Sequence, residues 1–112
     1  MKQDQVLAWL VHRRPERPFE LAARMDRAVC EIDAAVLGRE AGMAGALASL
    51  GLAMLRQVTR RSDDAPADDG ERAGMALDLL AADAFVTYAF EAASEEGAEV
   101  SPLVNRLLRE AA

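Results

Sequence analysis

The fold is decided by residues 41–55, which read AGMAGALASLGLAML and contain no charged side chain. At helical spacing, Met43, Leu47, Leu50 and Met54 form one apolar face, and the opposite face is almost as apolar. A helix that is apolar on all sides is buried on all sides. The sequence therefore predicts a helix over about 41–60 that lies at the centre of the molecule, covered by other helices or by a second copy of the chain.

A membrane span would need roughly 20 consecutive apolar residues. The run at 41–55 is shorter, contains glycines, and is followed by Arg56, Arg60 and Arg61. We therefore interpret it as a buried helix and expect no membrane partner.

The flanking segments carry the period and the end signals of further helices. Pro15 and Gly97 are helix-ending residues, Pro18 suits the first position of a helix, and Gly38 is a plausible C-cap. The acidic stretch 62–70 (SDDAPADDG) reads as an exposed loop, and Asp68 with Glu71 resembles a capping box. We predict an all-α fold, a four- to five-helix bundle in a single domain 1–112, with outer helices at about 3–13, 18–38, 68–97 and 101–108.

Composition limits the function. The 112 residues carry a net charge of −6, which argues against a nucleic-acid partner because such proteins meet phosphates with a positive field. The chain has one cysteine, so it cannot form an intramolecular disulfide, and no secretory segment is recognisable. We expect a cytoplasmic protein.

Asp83 is the residue that looks out of place. On a helical wheel it falls between Leu79, Val86 and Phe90, with Thr87 one turn later on the same side. A buried carboxylate needs a cation, hydrogen-bond donors or water. Two interpretations remain open: a structural ion pair with Arg39 or Arg56, or a polar group that faces a ligand pocket together with Thr87.

No residue pattern indicates a metal, a cofactor or a catalytic group. Asp26, Asp33 and Glu40 recur every seven residues, but helical di-metal sites use Glu-x-x-His pairs, and the sole histidine is His12. We expect a solvated acidic flank, no bound metal and no cofactor.

Self-association is the predicted function. The small and apolar residues of the 41–60 helix would permit close approach of a second copy, and Trp9 lies off the main face of its own helix, so it packs sideways or meets a partner. The sequence thus predicts a non-catalytic interaction module, a homodimer that could also present a surface to another protein. The alternative is a small-molecule-binding or enzymatic bundle with an interior pocket around Asp83 and Thr87. The predicted interface residues are Trp9, Ala41, Gly45, Ala48, Leu52 and Leu55.

Overall fold

A computed structural model describes residues 1–13, 17–62 and 68–111. Within these ranges the chain forms helices and no strands, so the predicted all-α fold is confirmed. Pro15 and positions 63–67 of the predicted acidic loop lie outside the described residues, whereas residues 69 and 70 already belong to a helix. The helices are α1 (Gln3–Val11), α2 (Phe19–Glu31), α3 (Ala34–Gly38), α4 (Met43–Ser62), α5 (Asp69–Glu95) and α6 (Ser101–Ala111).

The predicted helix 18–38 is in fact two helices. The backbone becomes extended at Ile32 (φ −65°, ψ 144°), and the Asp33 carboxylate accepts a hydrogen bond from the Ala35 N–H, which makes Asp33 the N-cap of α3. The side chain of an aspartate can compete in this way with the continuation of a helix. Pro18 is the residue before α2 and not its first residue.

α4 contacts each of the other five helices. All residues from 46 to 52 are buried, which is two turns of helix and therefore every side of it. The chain's own helices cover this segment. The sequence accounts for this burial, because the stretch has no charged side chain that would keep one side of the helix in water. Removal of its apolar side chains from water stabilises the fold.

α5 packs along α4 more extensively than any other pair of helices. Gly51 of α4 lies against it: a Cβ there would be 3.0 Å from Val86 Cγ2, 3.3 Å from the Ala82 carbonyl oxygen and 3.4 Å from Phe85 Cβ. Alanines dominate the facing side of α5, which includes Ala81, Ala82, Phe85 and Ala89 among its buried residues. Small residues on both helices therefore permit the close packing.

The ends of α5 follow the sequence signals. The Asp68 carboxylate accepts a hydrogen bond from the Glu71 N–H at 2.8 Å, and Gly97 adopts a left-handed conformation (φ +69°) just after the helix. Glu96 then caps a different helix, because its Oε1 accepts hydrogen bonds from the backbone N–H groups of Met43 and Ala44. The loop after α5 therefore fixes the start of α4.

By length and composition α5 could cross a membrane, with 33% of the relevant stretch buried in the chain. A core helix of a soluble protein passes the same test, so one such helix is weak evidence for a membrane span. The radius of gyration, 14.0 Å, is close to the value of about 13 Å for a compact domain of this length. This compact shape is that of a soluble protein.

The close contact at Gly51 can be tested by substitution. We expect Gly51→Ala to lower the free energy of unfolding by about 1 kcal/mol or more, because overpacking costs about 1–3 kcal/mol and exceeds the gain in helix propensity. Gly74→Ala in α5 is the matched control, since an added Cβ there meets no atom within 4 Å. It should raise the free energy of unfolding by up to about 1 kcal/mol in the same urea titration. Equal effects of the two changes would contradict the packing described.

Candidate functional site

An apolar groove of about 260 Å³ opens between α4, α5 and α6. We call it the leucine groove; its main lining residues are Leu52, Leu55, Leu79, Val86, Leu107 and Asp83. Asp83 is the charged residue among the described residues that line it. The groove exists because α5 is apolar on two sides, one of which packs into the core while the other faces α6.

The apolar surface continues beyond the groove. Leu79 is 50% exposed on α5, and Leu108, which follows Leu107 on α6, is 68% exposed. Leu80 is also exposed on α5. Large apolar side chains are therefore exposed on both helices that flank the groove.

Asp83 and Thr87 are not where the sequence predicted them. Both are exposed, so the expected burial of Asp83 and an interior pocket around the two residues are wrong. The buried face of α5 centres on Phe85, whereas Leu79 and Val86 stand about 100° round the helix from it. Asp83 lies beyond them at the rim of the leucine groove, and Thr87 is not part of its lining.

The buried carboxylate of α5 is Asp78, which the sequence analysis missed. It is 4% exposed; Arg24 Nε donates to its Oδ1 at 2.5 Å, and Arg61 Nη1 donates to its Oδ2 at 2.7 Å. These ion pairs join α2, α4 and α5. The available signal was spacing, because Asp78 precedes Ala82 by four residues and Phe85 by seven, and therefore shares their face.

The predicted interface residues in the stretch 41–55 differ in burial and do not form one exposed surface. Ala48 and Leu52 are buried by the chain's own helices, Leu55 is half-buried at the groove, and Ala41 is exposed. The Glu40 side chain packs against Gly45, where a Cβ would overlap Glu40 Oε2. The small residue therefore accommodates a carboxylate of the same chain.

Trp9 packs sideways within the chain. Its ring meets Tyr88 of α5 edge to face, with centroids 5.7 Å apart, and the guanidinium of Arg13 lies 3.9 Å above the ring. Arg13 also forms an ion pair with Glu95. These contacts account for an aromatic residue off the main face of α1.

Glu40 is the centre of a second polar cluster, on the opposite side of α6 from the leucine groove. Arg106 of α6 donates from Nη2 to Glu40 Oε1 at 2.7 Å and from Nη1 to Oε2 at 3.2 Å. The Ser49 hydroxyl donates to Oε1 at 2.8 Å, and Arg106 Nε donates to Glu110 at 2.8 Å. The cluster attaches α6 to α4 and to the segment that precedes it.

This cluster shifts the pKa of its carboxyl group. Burial raises the pKa of Glu40, but the hydrogen bonds from Arg106 and Ser49, together with nearby positive charges, more than offset this, so the pKa lies below 4.5. The hydrogen bond with Glu40 raises the pKa of Arg106. The pair is therefore ionised at neutral pH.

The heptad-spaced carboxylates do not form one site. Asp33 caps α3, Glu40 pairs with Arg106, and Asp26 lies 3.9 Å from Arg17. Across residues 1–13, 17–62 and 68–111, no three His, Cys, Asp or Glu side chains are placed to hold a metal ion. His12 and Cys30 are exposed.

Comparison of the chain with known protein families, with curated proteins and with solved structures finds no match. The function must therefore be inferred from the two recesses beside α6 and from their charges.

The corrected position of the buried carboxylate has a direct test. Asp78→Ala should lower the free energy of unfolding by about 3–5 kcal/mol, because it leaves the buried Arg24 without its closest counter-ion. Asp83→Ala should change it by no more than about 0.5 kcal/mol, as for other exposed residues. Urea titrations of both variants measure the difference, and a large loss for Asp83→Ala would contradict the burial described.

The depressed pKa of Glu40 predicts a stability loss in acid. The unfolded chain takes up this proton near pH 4.5, whereas the folded chain does so at lower pH. The contribution of Glu40 is thus complete above pH 4.5 and is lost as the pH falls through its folded pKa. Glu40→Gln should lower stability at pH 7 and flatten the dependence on pH below 4.5. An unchanged acid profile in this variant would show that other carboxylates cause the loss.

Proposed function

We propose that this chain is a non-catalytic, cytoplasmic interaction module that self-associates, and that two copies pair through the leucine groove. The observation that carries the proposal is the exposure of leucines on both rims, Leu79 at 50% and Leu108 at 68%, beside an apolar recess. Burial of such surface is the main source of association free energy.

The apolar rims favour a second copy as the occupant. Leu79 and Leu108 stand on the two helices that flank the groove, and both are exposed. A two-fold pairing that sets α5 of one protomer against α6 of the other would bury each leucine twice. The surface is therefore complementary to itself in apolarity.

The proposal keeps self-association but moves the interface. Ala48 of α4 is fully buried, so it cannot contact a partner. Leu52 and Leu55 line the groove, where a partner's side chain would reach them. The interface we propose thus lies on α5 and α6, with α4 as its floor.

A small-molecule site in the same groove is the second candidate. It is favoured by Asp83, a single exposed carboxylate beside apolar walls, which suits an apolar amine. The groove is smaller than the 300–1,000 Å³ or so of typical ligand pockets. A thermal shift with an alkylamine that Asp83→Asn abolishes, in a chain that stays monomeric, would support this candidate instead.

Sedimentation equilibrium across micromolar concentrations tests the dimer. We expect Leu108→Glu and Leu79→Glu to raise the dissociation constant about tenfold or more, because each would bury a charge in the interface. Phe19→Glu is the matched control: Phe19 is 87% exposed in the first turn of α2, away from the groove. It should leave the dissociation constant unchanged.

A protein that is monomeric up to millimolar concentration would overturn the proposal. So would equal weakening by Phe19→Glu.

A further inference from the structure

A second recess, of about 250 Å³, lies on the other side of α6, between α3, α4 and α6. We call it the arginine cleft. Its apolar lining consists of Ile32, Val36, Leu52 and Ala53, and Arg39 and Arg56 contribute guanidinium groups from α3's C-cap and from α4. It adjoins the leucine groove: α6 forms a wall of both recesses, and Leu52 lines both.

The positive charge of this cleft is only partly neutralised. Its lining holds three guanidinium groups and two carboxylates, a net charge of +1 in a chain whose total is −6. Both carboxylates, Glu40 and Glu110, are bonded to Arg106. Arg39 and Arg56 are exposed and form no ion pair with a described residue. The two guanidinium groups are therefore free to meet an anion.

We propose that the arginine cleft binds a small aliphatic monocarboxylate. The guanidinium groups of Arg39 and Arg56 hold the carboxylate, because their planar N–H donors match its two oxygens. The hydrocarbon chain of the ligand lies on Ile32, Val36 and Ala53. A single negative charge balances the net charge of the lining.

The size and polarity of the cleft set the limits of the ligand class. At about 250 Å³ it is smaller than a typical drug-sized site, which indicates a short chain. An inorganic anion would leave the apolar lining unused, and an amine would face Arg39 and Arg56 with a like charge. The carboxylate with a hydrocarbon chain uses both halves of the cleft.

The position of α6 connects this ligand to the stability of the bundle. Arg106 and Glu110 form one wall of the cleft, so a bound carboxylate would stabilise the folded position of α6. A ligand that binds the native state raises the unfolding temperature, by an amount that grows with the ratio of ligand concentration to dissociation constant. Thermal unfolding therefore serves as an independent readout of binding.

Titration calorimetry with sodium hexanoate tests the proposal, with hexylamine and inorganic phosphate as comparison ligands. Hexanoate should bind saturably at one site and raise the unfolding temperature, while hexylamine and phosphate should not. Arg39→Gln and Arg56→Gln should each raise the dissociation constant for hexanoate about tenfold, the loss of one charged hydrogen-bonding partner. Arg60→Gln is the matched control, because Arg60 is exposed on the same helix but does not line the cleft.

Three results would overturn the assignment. Absence of saturable hexanoate binding up to millimolar concentration would remove the site. Phosphate binding equal to that of hexanoate would show that the apolar lining plays no part. Equal weakening by Arg60→Gln would show a general attraction to positive charge. Circular dichroism of each variant confirms that the helices remain formed, since all three arginines are exposed.

Discussion

The close approach of α4 and α5 at Gly51 is the constraint on which the other contacts depend. Gly51 lies against α5, where Val86 Cγ2, the Ala82 carbonyl oxygen and Phe85 Cβ leave no space for a further methyl group on α4. α5 also carries apolar surface that this contact does not cover, since Leu79 is 50% exposed and lines the leucine groove.

Ion pairs at two places hold the peripheral helices to this helix pair. Asp78 forms ion pairs with Arg24 and Arg61, which join α2 to α4 and α5. Glu40 forms an ion pair with Arg106, which joins α6 to the segment before α4. In each case one carboxylate accepts several charged hydrogen bonds, which compensates for its removal from water. Gly45 contributes by leaving room for the Glu40 carboxylate. These ion pairs add to the apolar contacts of α2 and α6, which place Met25, Val29 and Leu103 in the core.

α6 forms one wall of both recesses. Leu103 is its buried anchor, the Arg106 side faces the arginine cleft, and the Leu107 side faces the leucine groove. Because the two sites share this helix, a ligand in the cleft would also stabilise one rim of the proposed dimer interface. Binding and self-association would then be coupled by a free energy that acts in both directions.

The sequence by itself determined the helical class, the burial of residues 46–52 within the charge-free stretch and the capping of α5 by Asp68, because each depends on local spacing and backbone chemistry. The tertiary structure decided which of the two apolar sides of α5 enters the core. Leu79 and Val86 carry a regular apolar period, yet the side with Ala81, Ala82, Phe85 and Ala89 enters the core, and Val86 borders it at Gly51. That choice put Asp78 in the core and Asp83 at a groove rim. A helical wheel of α5 places Asp78 with Ala82 and Phe85, and Asp83 with Leu79 and Val86. It does not show which side is buried, because the partners Arg24 and Arg61 come from other helices.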